Sequence, residues 1–414
     1  MFQRKYIYII LLSIFCYGQL TAQQYTTLIK GGRVIDPKNN IDGIMDIAIS
    51  GDTIAKVAKH IDQNLADKVI LAEGLIITPG LIDLHSHNFF GTEPNHYLSN
   101  GLEALPPDGF TFRCGITAVV DAGGAGWKNF PVFKTQVINN SKTRVYAFLN
   151  IVGEGMRGHP YEQNINDMDS KMTALVALQH KEVVGVKVAH YSGSEWTPVD
   201  RALDAAKRAR IPVMIDFGGN IPPLSLADLL INRLRSGDIF THAYANVSGR
   251  MPIVDANGEV MQFVKEAQEK GVIFDVGHGG GSFAYSQAVP ATQNGFFPNT
   301  ISTDLHTGSM NAGMKDLLNV MSKFLNLGMI LPEVINASSW KSAQVIQKKD
   351  IGHLSVGTVA DIAVFKLEKG NFGFVDSSGY KMQGDKKLVC ELTIRAGEIV
   401  YDLNGISKQS WTME

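Results

Sequence analysis

Residues 78–87 read TPGLIDLHSH, an apolar run that ends in two histidines with one residue between them. Side chains alternate between the two faces of a β-strand, so His85 and His87 would point to the same side. Two interpretations follow from this stretch. The histidines form a metal-binding pair, or they are polar residues at the solvated end of a strand. The rest of the chain has to distinguish between them.

Eight apolar, strand-like segments alternate with helical stretches such as 198–210 and 223–237. This alternation predicts βα units and a parallel sheet, and eight units fit a (β/α)8 barrel of the TIM type. An open doubly wound sheet is the alternative. We favour the barrel because nearly every segment ends in a polar residue, and a barrel forms its active site at the C-terminal ends of its strands. The eight segments are 77–87, 115–124, 144–153, 183–190, 211–219, 238–245, 271–280 and 299–306.

The two ends of the chain differ from the middle. Short alternating segments separated by turn residues occur near both termini, which indicates strands and hairpins. Neither end has enough strands to bury a sheet face by itself. We therefore expect residues 23–77 and 350–414 to form one composite β-sandwich domain beside a barrel of residues 78–349.

Residues 1–22 have the form of a secretory signal peptide. Arg4 and Lys5 precede an apolar run, and Ala22 offers a small residue for cleavage. An uncleaved anchor is the alternative, but the apolar run is short for a membrane-spanning helix, which needs about 20 residues. We therefore expect an exported protein, periplasmic or secreted, with no membrane attachment after cleavage.

The overall composition limits the partners. The formal net charge is −2 and no cluster of Lys and Arg occurs, which argues against a nucleic-acid partner and for a small-molecule substrate. After signal cleavage Cys114 and Cys390 remain, and they would either form one disulfide or stay as buried free thiols. Formation of a homo-oligomer is left open.

Polar side chains of a few types stand at the C-terminal ends of the predicted strands. Each one alone has an ordinary explanation as a solvated strand end. In a barrel, however, these ends converge on one rim, and imidazole and carboxylate groups together suit Zn²⁺ or a similar divalent ion. In strand order the side chains are His85 and His87, Asp121, Asn150, Lys187, Asp216, His242, His278 and Asp304.

These motifs resemble the amidohydrolase superfamily of metal-dependent hydrolases. PGLIDLHSH at 79–87 is similar to its first-strand motif, and GHLSVGTVADIAVF at 352–365 is similar to its return to the small β domain. Within the superfamily the chain looks most like the deacetylase-type branch, which is related to dihydroorotases and D-aminoacylases. The segments that carry this narrower resemblance are 115–126, 148–155, 185–190, 237–246, 275–283 and 301–306.

The resemblance implies a role for each residue of the rim. His85 and His87 would bind the more buried metal ion together with Asp304, and His242 would bind a second ion. Lys187 would carry a CO2-derived carbamate that bridges the two ions, since an ordinary ammonium would repel a cation. Asp304 would be the catalytic residue that takes a proton from the bridging hydroxide and returns it to the leaving amine.

Two positions depart from the family pattern. The fifth strand ends in Asp216, where the family has a histidine that binds the second metal ion. A carboxylate also binds metals, so Asp216 is expected as a ligand. The site would then hold two Zn²⁺ ions, with Mn²⁺ as the harder alternative, or a weakened second site would leave a single ion. Relatives tend to carry an arginine where this chain has Ala189, and His190 next to it would compensate by binding the substrate.

Further residues are expected to bind the substrate. His278 lies beside a glycine run that includes Gly279, where a substrate can approach the backbone. We assign His278 to substrate binding or to polarising the substrate carbonyl, and a purely structural role is the alternative. Asn150, at the end of the third strand, is a further candidate at the rim.

The implied reaction is hydrolysis of an amide, or of an ester, in a small acylated substrate by a metal-activated hydroxide. It would resemble a deacetylase or an N-acyl-amino-acid hydrolase. Because one fold supports many reactions, a cyclic amide hydrolase of the dihydroorotase type and a lactonase are the alternatives. A catalytically degenerate protein that only binds a metal or ligand is a third hypothesis, which the complete set of metal-binding residues disfavours.

Overall fold

The computed structural model describes residues 24–91, 103–220 and 222–411, and the strands in these ranges fall into two sheets. The predicted signal peptide at residues 1–22 lies outside the described residues. Within the described ranges, no helix combines the length and the apolar character needed to cross a membrane.

The strands of the described residues are β1 (Tyr25–Asp36), β2 (Ile41–Ser50), β3 (Thr53–Ala58), β4 (Ala66–Leu71), β5 (Ile76–Pro79), β6 (Leu81–Ser86), β7 (Ile116–Gly126), β8 (Arg144–Asn150), β9 (Val183–Val188), β10 (Val213–Ile215), β11 (Ile239–Phe240), β12 (Ile273–Phe274), β13 (Ile362–Val375), β14 (Lys381–Arg395) and β15 (Glu398–Asp402). The α-helices are α1 (Phe130–Gln136), α2 (His159–Glu162), α3 (Ser170–Gln179), α4 (Thr197–Ala209), α5 (Gln262–Lys270), α6 (Tyr285–Gln293), α7 (Thr307–Met310), α8 (Leu317–Asn326), α9 (Leu331–Ala337) and α10 (Trp340–Val345), and a π-helix covers Asp228–Arg233. Short 3-10 turns cover Pro37–Asn39, Gln63–Leu65, Pro107–Gly109, Phe112–Cys114, Ile138–Asn140 and Ile165–Asp167.

One sheet contains seven strands in the order β6 to β12, and each strand pairs in parallel with the next. Residues 300–305 take the eighth strand position. Thr300 forms a parallel bridge to Asp275 after β12, and Leu305 forms one to Ser86 of β6. This segment therefore closes the sheet, and the predicted (β/α)8 barrel is confirmed.

Local signals begin and end the helices around the barrel. α3 begins after Asp169, whose carboxylate accepts hydrogen bonds from the backbone N–H groups of Lys171 and Met172. α5 ends at Lys270 and is followed by Gly271, whose φ of 102° lies in the left-handed region that ends many helices. These signals keep the helices short and return the chain to the next strand of the barrel.

The second sheet is built from both ends of the chain, with the strand order β15-β14-β13-β5-β1-β2-β3 and β4 beside β1. β5 and β13 join the two ends, and Thr78 pairs there with Ala363. The sheet encloses its own apolar core, which includes Ile47, Ile77 and Ile362. The predicted small β domain formed by both termini is confirmed, and its hydrogen bonds make it one continuous mixed sheet.

The opening motif spans the junction between the two sheets. Thr78 and Pro79 belong to β5 of the small sheet, whereas β6 of the barrel begins at Leu81. Gly80 lies between them, and a Cβ atom at that position would clash with the side chain of Thr117. The chain therefore enters the barrel at Gly80, and the division expected at residue 78 falls inside a strand of the small sheet.

The hairpin of β13 and β14 packs against both cores. Ile362 and Val364 face the core of the small sheet, whereas Ala363 and Phe365 face the core of the barrel. This division follows from the two-residue alternation of a strand. Leu388 of β14 also belongs to the barrel core, so the C-terminal hairpin completes the barrel as well as the small sheet.

The two cysteines of the described chain are both buried and free. Of the two arrangements considered for Cys114 and Cys390, the structure shows the free thiols. Burial raises the pKa of both thiols above its ordinary value, so neither is a thiolate near neutral pH.

Candidate metal centre

His85 and His87 lie at the end of β6 and both contact Asp304. The distance from Asp304 Oδ1 is 2.8 Å to His87 Nε2 and 3.3 Å to His85 Nε2. All three side chains are buried. Asp304 follows His87 by 217 residues, and the two meet because residues 300–305 close the barrel beside β6. The two histidines thus point to the same side, as the alternation predicts.

Nδ1 of His85 and Nδ1 of His242 each form a hydrogen bond with another group of the protein. His85 Nδ1 lies 2.9 Å from Thr241 Oγ1, and the Thr241 hydroxyl donates its proton to Asp275 Oδ2 at 2.8 Å. Nδ1 of His85 must therefore be the donor to Thr241. His242 Nδ1 lies 2.6 Å from the carbonyl oxygen of Gly277, which only accepts. In the neutral form of each ring the lone pair is therefore on Nε2, the arrangement that metal binding requires.

Lys187 lies in β9 with its amine in the same cluster. Its Nζ is 3.4 Å from His85 Nε2, and the side chain is buried. Burial lowers the pKa of Lys187, although the carboxylates of Asp216 and Asp304 oppose this shift. Burial and the Lys187 charge also lower the pKa of His85 well below its ordinary value. Because only a neutral amine adds CO2, the lowered pKa of Lys187 is compatible with the expected carbamate.

Asp216 follows β10 and lies on the opposite side of the cluster. Its Oδ2 is 3.5 Å from His242 Nε2 and 3.7 Å from His190 Nε2, and its Oδ1 is 3.5 Å from Arg250 Nη1. Burial opposes ionisation, but the charges of His242 and Lys187 lower the pKa of Asp216 well below its ordinary value. Asp216 is therefore an ionised carboxylate that can bind a metal ion.

His190 forms part of the wall above Asp216. Its Nδ1 lies 2.6 Å from Oε2 of Glu162, a buried carboxylate. Burial of the ring opposes protonation, but the hydrogen bond to Glu162 and the charge of Asp216 raise the pKa of His190 to about 9. At neutral pH this half-exposed imidazolium therefore places a positive charge at the cavity wall.

Three of these side chains form a compact set of donors. The ligand atoms of His85, His242 and Asp304 all lie within 4.8 Å of one another. Burial opposes ionisation of Asp304, but the hydrogen bond with His87 lowers the pKa of its carboxyl. Two imidazole nitrogens and a carboxylate are donors that suit Zn²⁺ and similar ions, so these residues fit a divalent metal ion. Two Zn²⁺ ions and the carbamate on Lys187 stay predictions.

The cluster lies at the base of a cavity at the C-terminal ends of the barrel strands. The inner part has a volume of about 210 Å³ and the outer part about 540 Å³. Glycine pairs at 218–219 and 280–281 line the outer part and leave it open. A cavity of this size admits a small organic molecule. The inner part is lined by His85, His87, Glu103, Met156, Lys187, His190, Asp216, His242, Asp304 and His306.

The structure brings most of the predicted site residues to this cavity, but not His278 and Asn150. His278 is completely buried, and its Nε2 lies 2.6 Å from Nζ of Lys323. Asn150 is also buried, and both ends of its amide bond to backbone groups. The polar atoms of these two side chains form hydrogen bonds inside the protein. The substrate contacts that the sequence predicted for His278 and Asn150 are therefore wrong.

Gly279, also predicted as a substrate contact, lies against the side chain of Asp304 instead. Its φ is 55°, a left-handed conformation that favours glycine, and a Cβ atom there would clash with Asp304 Oδ2. The glycine therefore gives room to Asp304, and it lines neither part of the cavity within the described residues.

Sequence reasoning missed two charged residues of the cavity. Arg250, in the loop after β11, donates from Nη2 to the carbonyl oxygens of Thr241 and His242. Glu103 lies 2.6 Å from His306 through its Oε2. Both come from loops, whose path depends on tertiary packing rather than on a periodic pattern.

The barrel and its buried histidine and carboxylate cluster define a metal-binding hydrolase. The chain belongs to the Amidohydrolase family, whose model matches residues 76–400. It is 32% identical over 347 residues to a deacetylase of Brucella anthropi, across 82% of this chain and 83% of that protein. It is 33% identical over 343 residues to a deacetylase of Agrobacterium fabrum, across 81% of each chain.

The solved structures agree with this membership. A crystal structure described as that of a dihydroorotase matches with a TM-score of 0.79 at 29% identity, across 91% of this chain and 99% of that chain. The predicted superfamily is confirmed, and so is the predicted class of enzyme, a hydrolase that acts on carbon–nitrogen bonds.

Proposed function

We propose that this protein is an exported, metal-dependent deacylase that hydrolyses the amide, or an ester, of a small acylated substrate. The observation that carries the proposal is the buried cluster of His85, His242, Asp304 and Lys187 at the base of an open cavity. The two relatives named as deacetylases support the choice of acyl transfer to water among the reactions of the family.

The donor set fits a divalent metal ion in one or two sites. When bound, such an ion would act as a Lewis acid that polarises the scissile carbonyl and lowers the pKa of water. As a carbamate, Lys187 would offer oxygen donors between the two sites instead of a repelling ammonium. The residues that would hold the metal are His85, His87, Lys187, Asp216, His242 and Asp304.

Asp304 is the proposed proton carrier. Its carboxyl is ionised at neutral pH because its pKa is lowered, and it lines both parts of the cavity. It can therefore accept a proton from the attacking water and return that proton to the leaving nitrogen. His87 Nε2 lies 2.8 Å from Oδ1, so the two side chains are close enough to contribute to one metal site.

The walls of the cavity favour an acylated small acid. His190 places a positive charge beside Asp216, and the buried guanidinium of Arg250 lines the outer part. A carboxylate on the substrate would be attracted to both cations, which would direct the acyl group towards Asp304. N-acetylated amino acids and O-acetylated hydroxy acids are substrates of this kind.

A substrate panel tests the proposal. We would measure hydrolysis of N-acetyl amino acids, O-acetyl hydroxy acids, cyclic imides and lactones by the wild type and by Asp304→Asn. Asp255→Asn, in an exposed loop, is the matched control. The proposal predicts turnover of acetylated acids that Asp304→Asn abolishes and Asp255→Asn retains. Turnover confined to cyclic imides or lactones would reject it.

Hydrolysis of a cyclic amide is the second candidate function. The solved structure described as a dihydroorotase supports it, since it matches nearly the whole chain at 29% identity. A cyclic amide also presents a carbonyl and a leaving nitrogen to the same groups. Cyclic imides in the panel distinguish this function from deacylation.

Export rests on the sequence of residues 1–22. We propose that the mature chain begins at Gln23, after cleavage behind Ala22. N-terminal sequencing of the protein from the periplasmic or secreted fraction tests this. A chain that begins at Met1 and stays in the cytoplasmic fraction would contradict it.

A further inference from the structure

A completely buried lysine lies behind the wall of the cavity. Lys323 is in α8, and among the described residues it forms no ion pair with a carboxylate. Its Nζ donates to the carbonyl oxygen of Gly313 at 2.8 Å and lies 2.6 Å from His278 Nε2. Nζ also lies 5.5 Å from the centre of the Phe283 ring. These contacts satisfy the hydrogen-bonding capacity of the amine, but the packing of α8 does not by itself require a lysine at this position.

An apolar side chain of similar size would fill the same space without placing an amine away from water. Burying an amine away from water has an energetic cost, and burial lowers the pKa of Lys323 to about 7. A methionine of similar length would avoid this cost, but it would leave the Gly313 carbonyl oxygen and His278 Nε2 without their donor. The role of the amine therefore lies in the two groups that accept its hydrogen bonds, His278 and the Gly313 carbonyl.

The direction of the bond between Lys323 and His278 is defined by the other ring nitrogen. His278 Nδ1 lies 2.9 Å from the carbonyl oxygen of Gly279, which can only accept. Nδ1 therefore carries the proton, and Nε2 accepts from Lys323. The ring also stacks on Phe283, with ring centres 4.5 Å apart. His278 is thus held on both edges and on one face.

The residues on either side of His278 each contact a proposed metal ligand. The carbonyl oxygen of Gly277 accepts from His242 Nδ1 at 2.6 Å. Gly279 lies against Asp304 Oδ2, and both glycines have a left-handed φ, 45° and 55°. A shift of this short loop would therefore rotate the His242 ring and displace the Asp304 carboxylate together.

We propose that Lys323 and His278 are positioning residues that hold residues 277–279 in place and thereby orient His242 and Asp304 for metal binding. The inference rests on the proposed metal centre. It gives His278 a role different from the substrate contact expected from its sequence motif. It also predicts that a residue of the outer helix layer controls metal affinity without touching the metal.

Metal affinity of the full chain tests this inference. We would measure the dissociation constant of Zn²⁺ by chelator competition, and the thermal midpoint, for Lys323→Met and for His278→Phe, which keeps a ring against Phe283. Both variants should bind Zn²⁺ roughly 10- to 100-fold more weakly, the usual effect of losing a group that orients a ligand. The thermal midpoint of Lys323→Met should fall, because the Gly313 carbonyl oxygen and His278 Nε2 lose their donor, so Zn²⁺ binding is measured well below that midpoint.

Ser322→Ala is the matched control in the same helix. The Ser322 hydroxyl is buried and bonds to Leu318 and Leu388, so its loss disturbs the packing of α8 without touching His278. Its affinity for Zn²⁺ should equal that of the wild type. The double variant Lys323→Met with His278→Phe should bind no more weakly than the weaker single variant, because both act through one contact.

Two results would overturn the inference. Wild-type Zn²⁺ affinity in both single variants, or a lower thermal midpoint without weaker binding, would reduce the pair to a structural contact. If Lys323→Met does not fold, His278→Phe decides the question alone. Failure of the wild type itself to bind Zn²⁺ would instead contradict the proposed metal centre, so the two failures are distinguishable.

Discussion

Several side chains of the site stand on backbone that leaves the regular strand conformation. His190, His242 and Asp304 have φ values of 52°, 55° and 53°, in the left-handed region that residues other than glycine rarely adopt. Each lies just beyond the hydrogen-bonded part of its strand. The turned backbone directs these side chains into the cavity, so their position depends on local strain that the surrounding structure holds in place.

At this scale we predict that Thr241→Val weakens metal binding. The hydroxyl of Thr241 accepts from His85 Nδ1 and donates to Asp275. Valine keeps the shape but leaves His85 without its acceptor, so the dissociation constant for Zn²⁺ should rise roughly 10- to 100-fold. Chelator competition measures it.

Thr173→Val is the matched control for this change. The Thr173 hydroxyl is buried and finds no hydrogen-bond partner among the described residues, so its replacement should leave Zn²⁺ affinity unchanged and stabilise the protein by about 1 kcal/mol. Equal Zn²⁺ affinity of Thr241→Val and the wild type would show that Thr241 does not orient His85.

The same residues show how far the sequence predicts the site. Alternation predicts that His85 and His87 share a side, because they lie in or next to β6. It fails for His278 and Asn150, whose polar atoms bond inside the protein. Alternation stops where the ladder of a strand stops, and beyond that point only the folded chain determines which way a side chain points.

Among the elements, the last strands of the barrel are the shortest. β11 and β12 have two residues each, and residues 300–305 join their neighbours through single bridges. Side chains replace part of the backbone ladder, since Asp275 accepts hydrogen bonds from Thr300 and Ser302. Apolar runs therefore predicted that eight strands exist, but not how short the last three are.

The glycine run at 279–281 gives a prediction for one of these strand ends. Gly279→Ala should lower kcat/KM at least about 100-fold, because the new methyl group displaces Asp304 and the left-handed φ adds strain. Gly281→Ala is the control, since a Cβ atom there meets no atom of the described part of the chain within 4 Å. Steady-state kinetics on the best substrate of the panel compare them. Equal losses in both variants would contradict this role of Gly279.

A second prediction at the level of the strands concerns how the stability of the irregular part of β1 depends on pH. Asp46 of β2 accepts from the backbone N–H groups of Gly31 and Ile61 and pairs with Lys30 at 3.0 Å. Burial opposes ionisation, but these bonds together lower the pKa of Asp46. A carboxyl with a lower pKa in the folded state stabilises the protein above its unfolded pKa, near 4, and loses this contribution as the pH falls.

Asp46→Asn should therefore reduce the free energy of unfolding at pH 7 by about 1–3 kcal/mol. The difference from the wild type should shrink as the pH falls below about 4. Urea unfolding of both proteins across this range measures it. A difference that stays constant with pH would show that the charge of Asp46 is not the cause.

For the whole molecule, the sequence predicted the architecture well because the same pattern of strand and helix recurs along the chain. Eight βα units and two similar β-rich ends indicated a barrel and one composite β-sandwich domain. The barrel is present, and the two ends together form one continuous mixed sheet. The sharing of core between them was not predictable. Alternation places Ala363 and Ile362 on opposite faces of β13, but only the packing of this strand between the two cores determines which core each face meets.

We therefore predict that residues 78–349 do not fold as an isolated barrel. Phe365, Phe374 and Leu388 belong to the barrel core but lie outside this fragment. Their loss would expose a large apolar surface, so the fragment should lack cooperative urea unfolding, whereas residues 24–411 should show it. A fragment that unfolds cooperatively at the same urea concentration would contradict the shared core.

The central claim, a divalent metal held by His85, His242, Asp304 and their neighbours, is tested most directly by metal content per chain. The full protein and His85→Ala would be purified in buffer that contains bicarbonate and Zn²⁺, and then freed of loosely bound ions. We expect metal in the wild type and none in the variant. Two ions per chain would support Asp216 and a carbamate on Lys187 as ligands. One ion per chain would indicate a single working site. A folded wild type without metal would contradict the account.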